Sequence, residues 1–202
     1  MKKHLILDAM GIIFLEEDDL KVFMPYLEEN CRADKRQLIQ PLYMKLTEGE
    51  ITSQQFFQQL GIVNPTLDFL MNVTLDESFS EFISQMGTSR QVSVLSNDSQ
   101  EWASYRNTRI GINNLISYYI TSSTSRERKP NRLAYERACR LLNTIPQNCF
   151  YVDDLPRNLE EPFNLGMGVV LFRRDGKNDS GFPLVKTFPE LHTFLSRVAD
   201  YG

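Results

Sequence analysis

Residues 5–14 read LILDAMGIIF, a short apolar run that meets Asp8 and then becomes apolar again. Residues 150–154 read FYVDD and end in the same way, with Asp153 and Asp154 after an apolar run. Burying an unpaired carboxylate is costly, so acids at the ends of two buried strands need a compensating partner. The three acids therefore indicate a shared site for a cation or a phosphate group.

The composition narrows the class of protein. The chain has 202 residues, of which 42% are hydrophobic and 24% charged, as in ordinary globular proteins. Its formal net charge of −4 argues against a nucleic-acid partner, because proteins that bind nucleic acids usually carry an excess of basic residues. Three cysteines without a CxxC pair favour a reducing compartment. The apolar runs are too short for a signal peptide or a membrane span, so we expect a cytoplasmic protein without a membrane partner.

Five short apolar runs are typical of buried strands, because they are rich in β-branched or aromatic residues and bounded by turn-forming residues. They lie at 5–7, 92–95, 118–120, 150–152 and 169–172. Helical segments separate the last four, with Asn131, Pro156 and Pro189 as start signals. We expect the helix after Asn131 to pack through Leu133, Ala134, Ala138, Leu141 and Leu142. The alternation predicts an α/β fold with a three-layer, doubly wound parallel sheet.

The segment between the first two strands is the exception. It carries several amphipathic helical patterns and no convincing strand. A crossover between neighbouring strands normally needs a single helix, so this segment is too long for one. We interpret residues 15–74 as an inserted, all-helical cap, and residues 1–14 and 75–202 as the α/β core domain.

Polar residues follow four of the five predicted strands. They are Asp8, Ser96, Asn97, Lys129, Asp153 and Asp154. Ligands of parallel α/β sheets bind at the carboxyl ends of the strands, where these residues should meet. Carboxylates and backbone carbonyls form the hard oxygen site that Mg²⁺ prefers, while a hydroxyl and an ammonium suit phosphoryl oxygens. Asp8 could then attack phosphorus and form an aspartyl-phosphate.

This ordered set resembles the haloacid dehalogenase (HAD) superfamily over nearly the whole chain. Its four motifs match Leu7-Asp8-Ala9-Met10-Gly11-Ile12, Val94-Leu95-Ser96-Asn97, Arg128-Lys129-Pro130-Asn131 and Tyr151-Val152-Asp153-Asp154. Each motif alone is weak evidence, whereas four in order at strand ends are specific. A helical insertion straight after the first motif is what the C1-capped members of the family have.

The resemblance implies a Mg²⁺ site. Asp8 would be both the nucleophile and a metal ligand, and Asp154 would be the other direct carboxylate ligand. Asp153 would lie behind the direct ligands or reach the metal through water. The main-chain carbonyl of Met10 would also bind the metal, since that contact does not depend on the side chain.

The resemblance also implies a phosphate site. Ser96, Asn97 and Lys129 would hold the transferring group, and Lys129 would keep Asp8 in place. A helical lid over the site would exclude macromolecules, which favours a small phosphorylated metabolite as substrate.

Met10 is the main departure from the family pattern. Family phosphatases have a second Asp there, which protonates the leaving oxygen and later activates water. Losing a general acid–base group typically removes about 10²–10⁴ in rate, so we expect weak activity that favours good leaving groups. In addition, Ile12 replaces the usual Thr, and Arg126 stands near where many relatives have Gly.

Two alternatives remain open. One is a catalytically impaired sensor or scaffold that binds a phospholigand without turning it over. The other is a dehalogenase-like or phosphonatase-like hydrolase of carbon–halogen or carbon–phosphorus bonds. Dehalogenases need no metal and usually lack the acidic pair, so Asp153 and Asp154 favour phosphate chemistry. A phosphonate hydrolase would need a cap lysine, for which Lys35 and Lys45 are candidates.

The remaining polar and aromatic signals have structural interpretations. The basic run around Arg126 and Arg128 is expected to be a solvated loop. Trp102 is expected to pack within an amphipathic helix. His4 and His192 are the only histidines in the sequence, and their positions make histidine-based catalysis improbable.

Overall fold

The computed structural model describes residues 4–87 and 90–199, in which six strands form one parallel sheet. The strands are β1 (His4–Leu7), β2 (Gln91–Ser96), β3 (Tyr118–Thr121), β4 (Cys149–Asp153), β5 (Gly168–Phe172) and β6 (Leu184–Val185). Their order is β3-β2-β1-β4-β5-β6. The five predicted strands and the predicted fold class are confirmed. The two-residue strand β6 was too short to stand out in the sequence.

Helices cover both faces of the sheet. They are α1 (Asp19–Asn30), α2 (Ile39–Thr47), α3 (Ser53–Leu60), α4 (Phe79–Met86), α5 (Gln100–Ile110), α6 (Ser122–Ser125), α7 (Arg132–Leu141), α8 (Glu160–Asn164) and α9 (Phe188–Ala199). Short 3₁₀ helices lie at Ala33–Leu38, Asp68–Met71, Ile112–Asn114, Pro146–Asn148 and Pro156–Asn158. Within the described residues, none of these helices has the length and apolar character needed to cross a bilayer.

The alternation of side chains along each strand divides the core into two layers. Leu5 and Leu7 point to one face, where they pack with residues of α4 and α9 such as Phe82 and Phe188. Ile6 points to the other face and packs in the cluster that contains Tyr135 of α7. Both faces of the sheet are therefore buried, as expected for parallel strands connected by helices.

The helix after Asn131 forms, but its predicted apolar face is partly wrong. Asn131 caps α7 by accepting a hydrogen bond from the Leu133 amide at 3.0 Å. Leu133 and Leu141, however, are exposed, and Tyr135 and Cys139 are buried instead. The Tyr135 hydroxyl donates to the Asn158 carbonyl at 2.8 Å, so burial of its ring leaves no unpaired polar group. This long-range partner was not visible in the sequence.

A helical segment follows β1, as predicted. An antiparallel bridge between Phe14 and Leu75 brings its two ends together. The Leu15 amide donates to the Thr74 carbonyl at 2.9 Å, which extends this closure by one pair. The division of the chain into a cap at 15–74 and a core of 1–14 and 75–202 stays a prediction.

Trp102 of α5 lies in the apolar cluster of this helical segment. Its ring centroid is 5.3–6.0 Å from the ring centroids of Phe23, Tyr43, Phe56, Phe57 and Phe69. Its indole N–H donates to the Ser53 hydroxyl, so the polar end of the buried ring is paired. The expected packing role of Trp102 is confirmed, and its partners show that α5 connects the sheet layer to helices α1–α3.

We expect the substitution Trp102→Ala to lower the free energy of unfolding by about 3–5 kcal/mol, because it leaves a cavity among five aromatic rings. Urea denaturation followed by circular dichroism measures the loss. The control is Leu141→Ala at an exposed position of α7, which should change stability by less than about 0.5 kcal/mol. Equal effects of the two substitutions would contradict a stabilising role for the packing of the indole ring.

Candidate active site

The carboxyl ends of β1, β2 and β4 lie side by side, because these strands are neighbours in the sheet. Asp8 follows β1, and its amide donates to the Val152 carbonyl of β4 at 2.9 Å. Asp153 ends β4 and Asp154 follows it. The three carboxylates are buried and converge, each offering one oxygen within 4.8 Å of the others.

Lys129 joins two of these acids. Its ammonium nitrogen Nζ lies 2.7 Å from Oδ1 of Asp8 and 3.0 Å from Oδ2 of Asp153. Only 2% of the Lys129 side chain is exposed, so the ion pairs are shielded from solvent. A buried ammonium is stable only with such partners, and here both partners come from strands adjacent in the sheet.

Asn97 holds the Lys129 backbone in position. Its Oδ1 accepts from the Lys129 amide at 2.8 Å, and its Nδ2 donates to the Lys129 carbonyl at 3.0 Å. The side-chain amide thus acts as a clamp between the β2 loop and the loop that carries the lysine. This positioning contact was not foreseen from the sequence, and the phosphate-binding role of Asn97 stays a prediction.

Asp153 is the most completely hydrogen-bonded of the three acids. Besides Lys129, it accepts from the Tyr151 hydroxyl at 2.6 Å, the Leu155 amide at 3.0 Å and Asn158 Nδ2 at 3.0 Å. Four donors on one carboxylate satisfy its hydrogen-bonding capacity without a metal. Asp153 therefore orients Lys129 and the loop that follows β4.

The charges of the cluster do not balance. Three carboxylates face one ammonium, which leaves an excess negative charge when all are ionised. Burial raises the pKa of Asp8 from 3.8 to about 7, against the opposing effect of Lys129 and with the help of Asp153. Burial, followed by the charges of Asp8 and Asp153, raises the pKa of Asp154 to about 9. A divalent cation on hard oxygen ligands would satisfy this cluster.

The loop after Asp8 passes close to Asp154. Gly11 adopts a positive φ of +73°, and a Cβ at this position would lie 2.6 Å from Oδ2 of Asp154. Only glycine therefore allows the loop to lie against the carboxylate. Ile12, which replaces the usual family Thr, is buried in the apolar core.

Ser96, at the end of β2, is buried, and the phenol of Tyr119 belongs to the neighbouring strand β3. Arg106 supports that phenol with a contact of 3.0 Å to its oxygen and forms a buried ion pair of 2.7 Å with Asp98. Because β2 is the neighbour of β1, Ser96 lies at the same edge of the sheet as Asp8 and lines the same cavity.

A cavity of about 560 Å³ opens above this strand edge. Five of the predicted site residues line it: Asp8, Met10, Ser96, Asn97 and Lys129. Asp153 is fully buried, and Asp154 lines a smaller adjoining pocket of about 100 Å³. The structure thus gathers all seven predicted positions at one end of the sheet, although only five face the large cavity.

Helices α1 and α2 form the opposite wall of the cavity. They contribute Asp19, Leu20, Gln40, Tyr43 and Met44. Lys21 also lines the cavity, whereas the predicted candidates Lys35 and Lys45 are not among its lining residues in the described part of the chain. Lys35 instead donates to the Gln59 carbonyl at 2.6 Å.

The solvated-loop interpretation of Arg128 was wrong. Arg128 is half-buried, lines the cavity and contacts the Thr47 hydroxyl at the end of α2. Arg126 is exposed, as expected, but its guanidinium donates to the Gly49 carbonyl at 2.5 Å. In a sequence, a short run of charged residues predicts a solvent-exposed loop. Only the folded structure shows that α2 lies over this loop.

The comparisons place the chain in a family. The family model for haloacid dehalogenase-like hydrolases matches residues 71–172, half of the 202 residues, and the chain belongs to this family. No curated protein sequence matches the chain.

Solved structures of low sequence identity share the fold. A HAD phosphatase from Thermococcus onnurineus has a TM-score of 0.75 at 14% identity, covering 96% of this chain and 97% of its own. A mutant HAD family enzyme from Bacteroides thetaiotaomicron, in complex with magnesium and inorganic phosphate, has a TM-score of 0.69 at 13% identity, covering 89% and 98%. An L-2-haloacid dehalogenase from Xanthobacter autotrophicus with covalently bound chloropropionic acid has a TM-score of 0.67 at 14% identity. The match covers 97% of this chain and 99% of the dehalogenase.

We expect the metal-free protein to lose stability as the pH rises from the unfolded pKa of 3.8 towards about 9. The native state holds protons on Asp8 and Asp154 that the unfolded chain has already released, so stability is greatest at the acidic end of this window. Urea unfolding in the presence of a chelator, at both ends of the window, measures the change.

The matched control is Asp154→Asn, which removes the carboxyl group whose pKa is raised most. In this variant, the loss of stability between about pH 7 and pH 9 should be smaller than in the native chain. An equal loss of stability in the variant and in the native chain would show that Asp154 does not have this raised pKa.

Proposed function

We propose that the protein is a Mg²⁺-dependent phosphatase that acts on a small phosphorylated metabolite through an aspartyl-phosphate on Asp8. One observation carries the proposal: Lys129 bridges Asp8 and Asp153 beside Asp154, so that three converging carboxylates share a single ammonium at the edge of a cavity lined by Asp8 and Lys129. Such a cluster calls for a cation, and the serine and lysine beside it suit the oxygens of a phosphoryl group.

The donor set fits Mg²⁺. We assign Asp8, Asp154 and the Met10 carbonyl as the ligands, because all three are hard oxygen donors at the edge of β1 and β4. Asp153 already accepts four hydrogen bonds, so we assign it to positioning Lys129, with contact to the metal only through water. When bound, Mg²⁺ would offset the negative charge of the cluster and of the phosphoryl group.

The nucleophile is held through one of its oxygens. Oδ1 of Asp8 accepts from the Ala9 amide at 2.6 Å and lies 2.7 Å from the Lys129 ammonium. We assign attack on phosphorus to Oδ2, which would form the aspartyl-phosphate. Ser96 would donate its hydroxyl to one phosphoryl oxygen and Lys129 would stabilise the charge that develops on the group.

Two of the three neighbouring structures support phosphate chemistry. One neighbour is a phosphatase and another binds magnesium and inorganic phosphate, whereas a third is a dehalogenase. The acidic pair of this chain favours the first two, because the family resemblance associates that pair with metal-dependent chemistry. The insertion at 15–74 would be a C1-type cap, and α1 and α2 would limit the substrate to molecules that fit about 560 Å³.

Met10 favours a second candidate, a sensor or scaffold that binds a phospholigand without turnover. Met10 lines the cavity at the sequence position where family phosphatases have the acid–base Asp. This candidate keeps Mg²⁺ and phosphate binding but removes catalysis. Turnover by the native chain separates the two functions.

We expect the native protein to hydrolyse p-nitrophenyl phosphate in the presence of Mg²⁺ and to lose this activity when Mg²⁺ is chelated. Asp8→Asn should reduce turnover to background, because the amide is a poor nucleophile. The control is Asp34→Asn, which removes the same charge from an exposed residue paired with Arg32. Binding of Mg²⁺ and phosphate without any native turnover would instead support the sensor.

Met10→Asp should raise turnover by about 10²–10⁴-fold at most, which is the gain that a positioned acid–base group typically supplies. Met10→Asn, which adds polarity but cannot exchange a proton at neutral pH, is the matched control. Steady-state release of phosphate measures both variants. An inactive native chain that stays inactive with Asp at this position would count against the phosphatase proposal.

A further inference from the structure

Asp19 and Tyr43 form a hydrogen-bonded pair on the cap-side wall of the large cavity. Asp19 is the first residue of α1, and Tyr43 lies on α2. The Tyr43 phenol donates to Oδ2 of Asp19. Both residues line the cavity that also exposes Asp8 and Met10. This pair therefore borders the cavity in which a substrate of the proposed function would lie.

The surroundings of Asp19 raise the pKa of its carboxyl towards neutral pH. Burial raises the pKa of its carboxyl from 3.8 to about 6, and the charge of Asp98 adds to the rise. The hydrogen bond from Tyr43 and the charge of Arg106 oppose it, while Asp18 raises it slightly. A general acid works best when its pKa is close to the operating pH, which this carboxyl satisfies.

We propose that Asp19 donates the proton to the leaving oxygen, a role that Met10 cannot fill because its side chain carries no exchangeable proton. This inference rests on the proposed phosphatase function and adds the residue that would complete it. Tyr43 would be a positioning residue, because its hydrogen bond holds Oδ2 of Asp19 and leaves Oδ1 for the proton transfer.

The proton balance closes over two steps. In the first, Asp8 bonds to phosphorus, the bond from phosphorus to the leaving oxygen breaks, and that oxygen takes the proton from Asp19. In the second, water attacks phosphorus, the bond to Asp8 breaks, and the ionised Asp19 takes the proton of the water. Asp8 leaves the cycle as a carboxylate and Asp19 as an acid, so no further reactant is needed.

The neighbouring Asp18 is less suited to this role. Its Oδ1 accepts from the Lys21 amide at 3.2 Å and so caps α1. Its Oδ2 lies 3.7 Å from the Lys21 ammonium. Asp18 nevertheless lines the same cavity, which makes Asp18→Asn a matched control: it removes the same charge from the adjacent position.

Two aryl phosphates with different leaving groups test the proposal in the presence of Mg²⁺. The nitro group of p-nitrophenyl phosphate stabilises the departing phenolate, whereas phenyl phosphate needs a proton for its more basic phenolate. Asp19→Asn should lower kcat/KM for phenyl phosphate by about 10²-fold or more and for p-nitrophenyl phosphate by less than about tenfold. Asp18→Asn should keep the leaving-group preference of the native chain.

The pH profile supplies a second readout. With phenyl phosphate, kcat/KM of the native chain should fall as the pH rises above about 6, where Asp19 loses its proton, and Asp19→Asn should abolish this limb. Tyr43→Phe removes a hydrogen bond that lowers the pKa of Asp19, so it should move the limb to higher pH. A merely structural role would leave the position of this limb unchanged.

The outcomes distinguish the inference from the function on which it rests. An active native chain in which Asp19→Asn slows both substrates equally overturns the role of Asp19 alone. The same holds if Asp18→Asn reproduces its effect. A native chain that hydrolyses neither substrate with Mg²⁺ overturns the phosphatase function and the inference together.

Discussion

The site depends on one buried ammonium placed between two buried carboxylates. Lys129 reaches Asp8 on β1 and Asp153 on β4, and neither acid could remain buried and ionised at low cost without it. The lysine itself is held by the backbone clamp of Asn97, which follows β2. Three loops that are far apart in the chain are thus locked together by charge and by hydrogen bonds in one small volume.

Sheet topology makes this arrangement possible. Because β2, β1 and β4 are adjacent and parallel, their carboxyl ends open on the same edge. The loop after β1 can then lie against Asp154, provided that Gly11 has no side chain. When all three carboxylates are ionised, their negative charge is larger than one lysine can offset, and this is the physical basis for assigning a divalent cation to the site.

The other wall of the cavity comes from helices that are joined to the sheet layer at several points. Trp102 of α5 packs among the aromatic rings of the helical segment, and the Ser122 hydroxyl donates to the Thr47 carbonyl at 2.5 Å. Arg128 also contacts Thr47. These contacts bring α1 and α2 over the acid cluster, so that Asp19 and Tyr43 share a cavity with Met10. In the scheme that we propose, Asp19 supplies the acid that is missing at Met10.

The sequence by itself determined five of the six strands, their parallel arrangement and the acids, serine and lysine at their ends, because buried strands and polar strand ends leave short-range patterns. It also predicted the helical insertion from its length and periodicity. It did not reveal the buried face of α7, since the hydroxyl of Tyr135 is satisfied by Asn158, a residue distant in sequence. Only the tertiary structure decided that Arg128 lies in the cavity, that Asn97 clamps Lys129 and that Asp19 pairs with Tyr43. Each of these contacts joins residues more than twenty positions apart, and periodicity carries information only about neighbours along the chain.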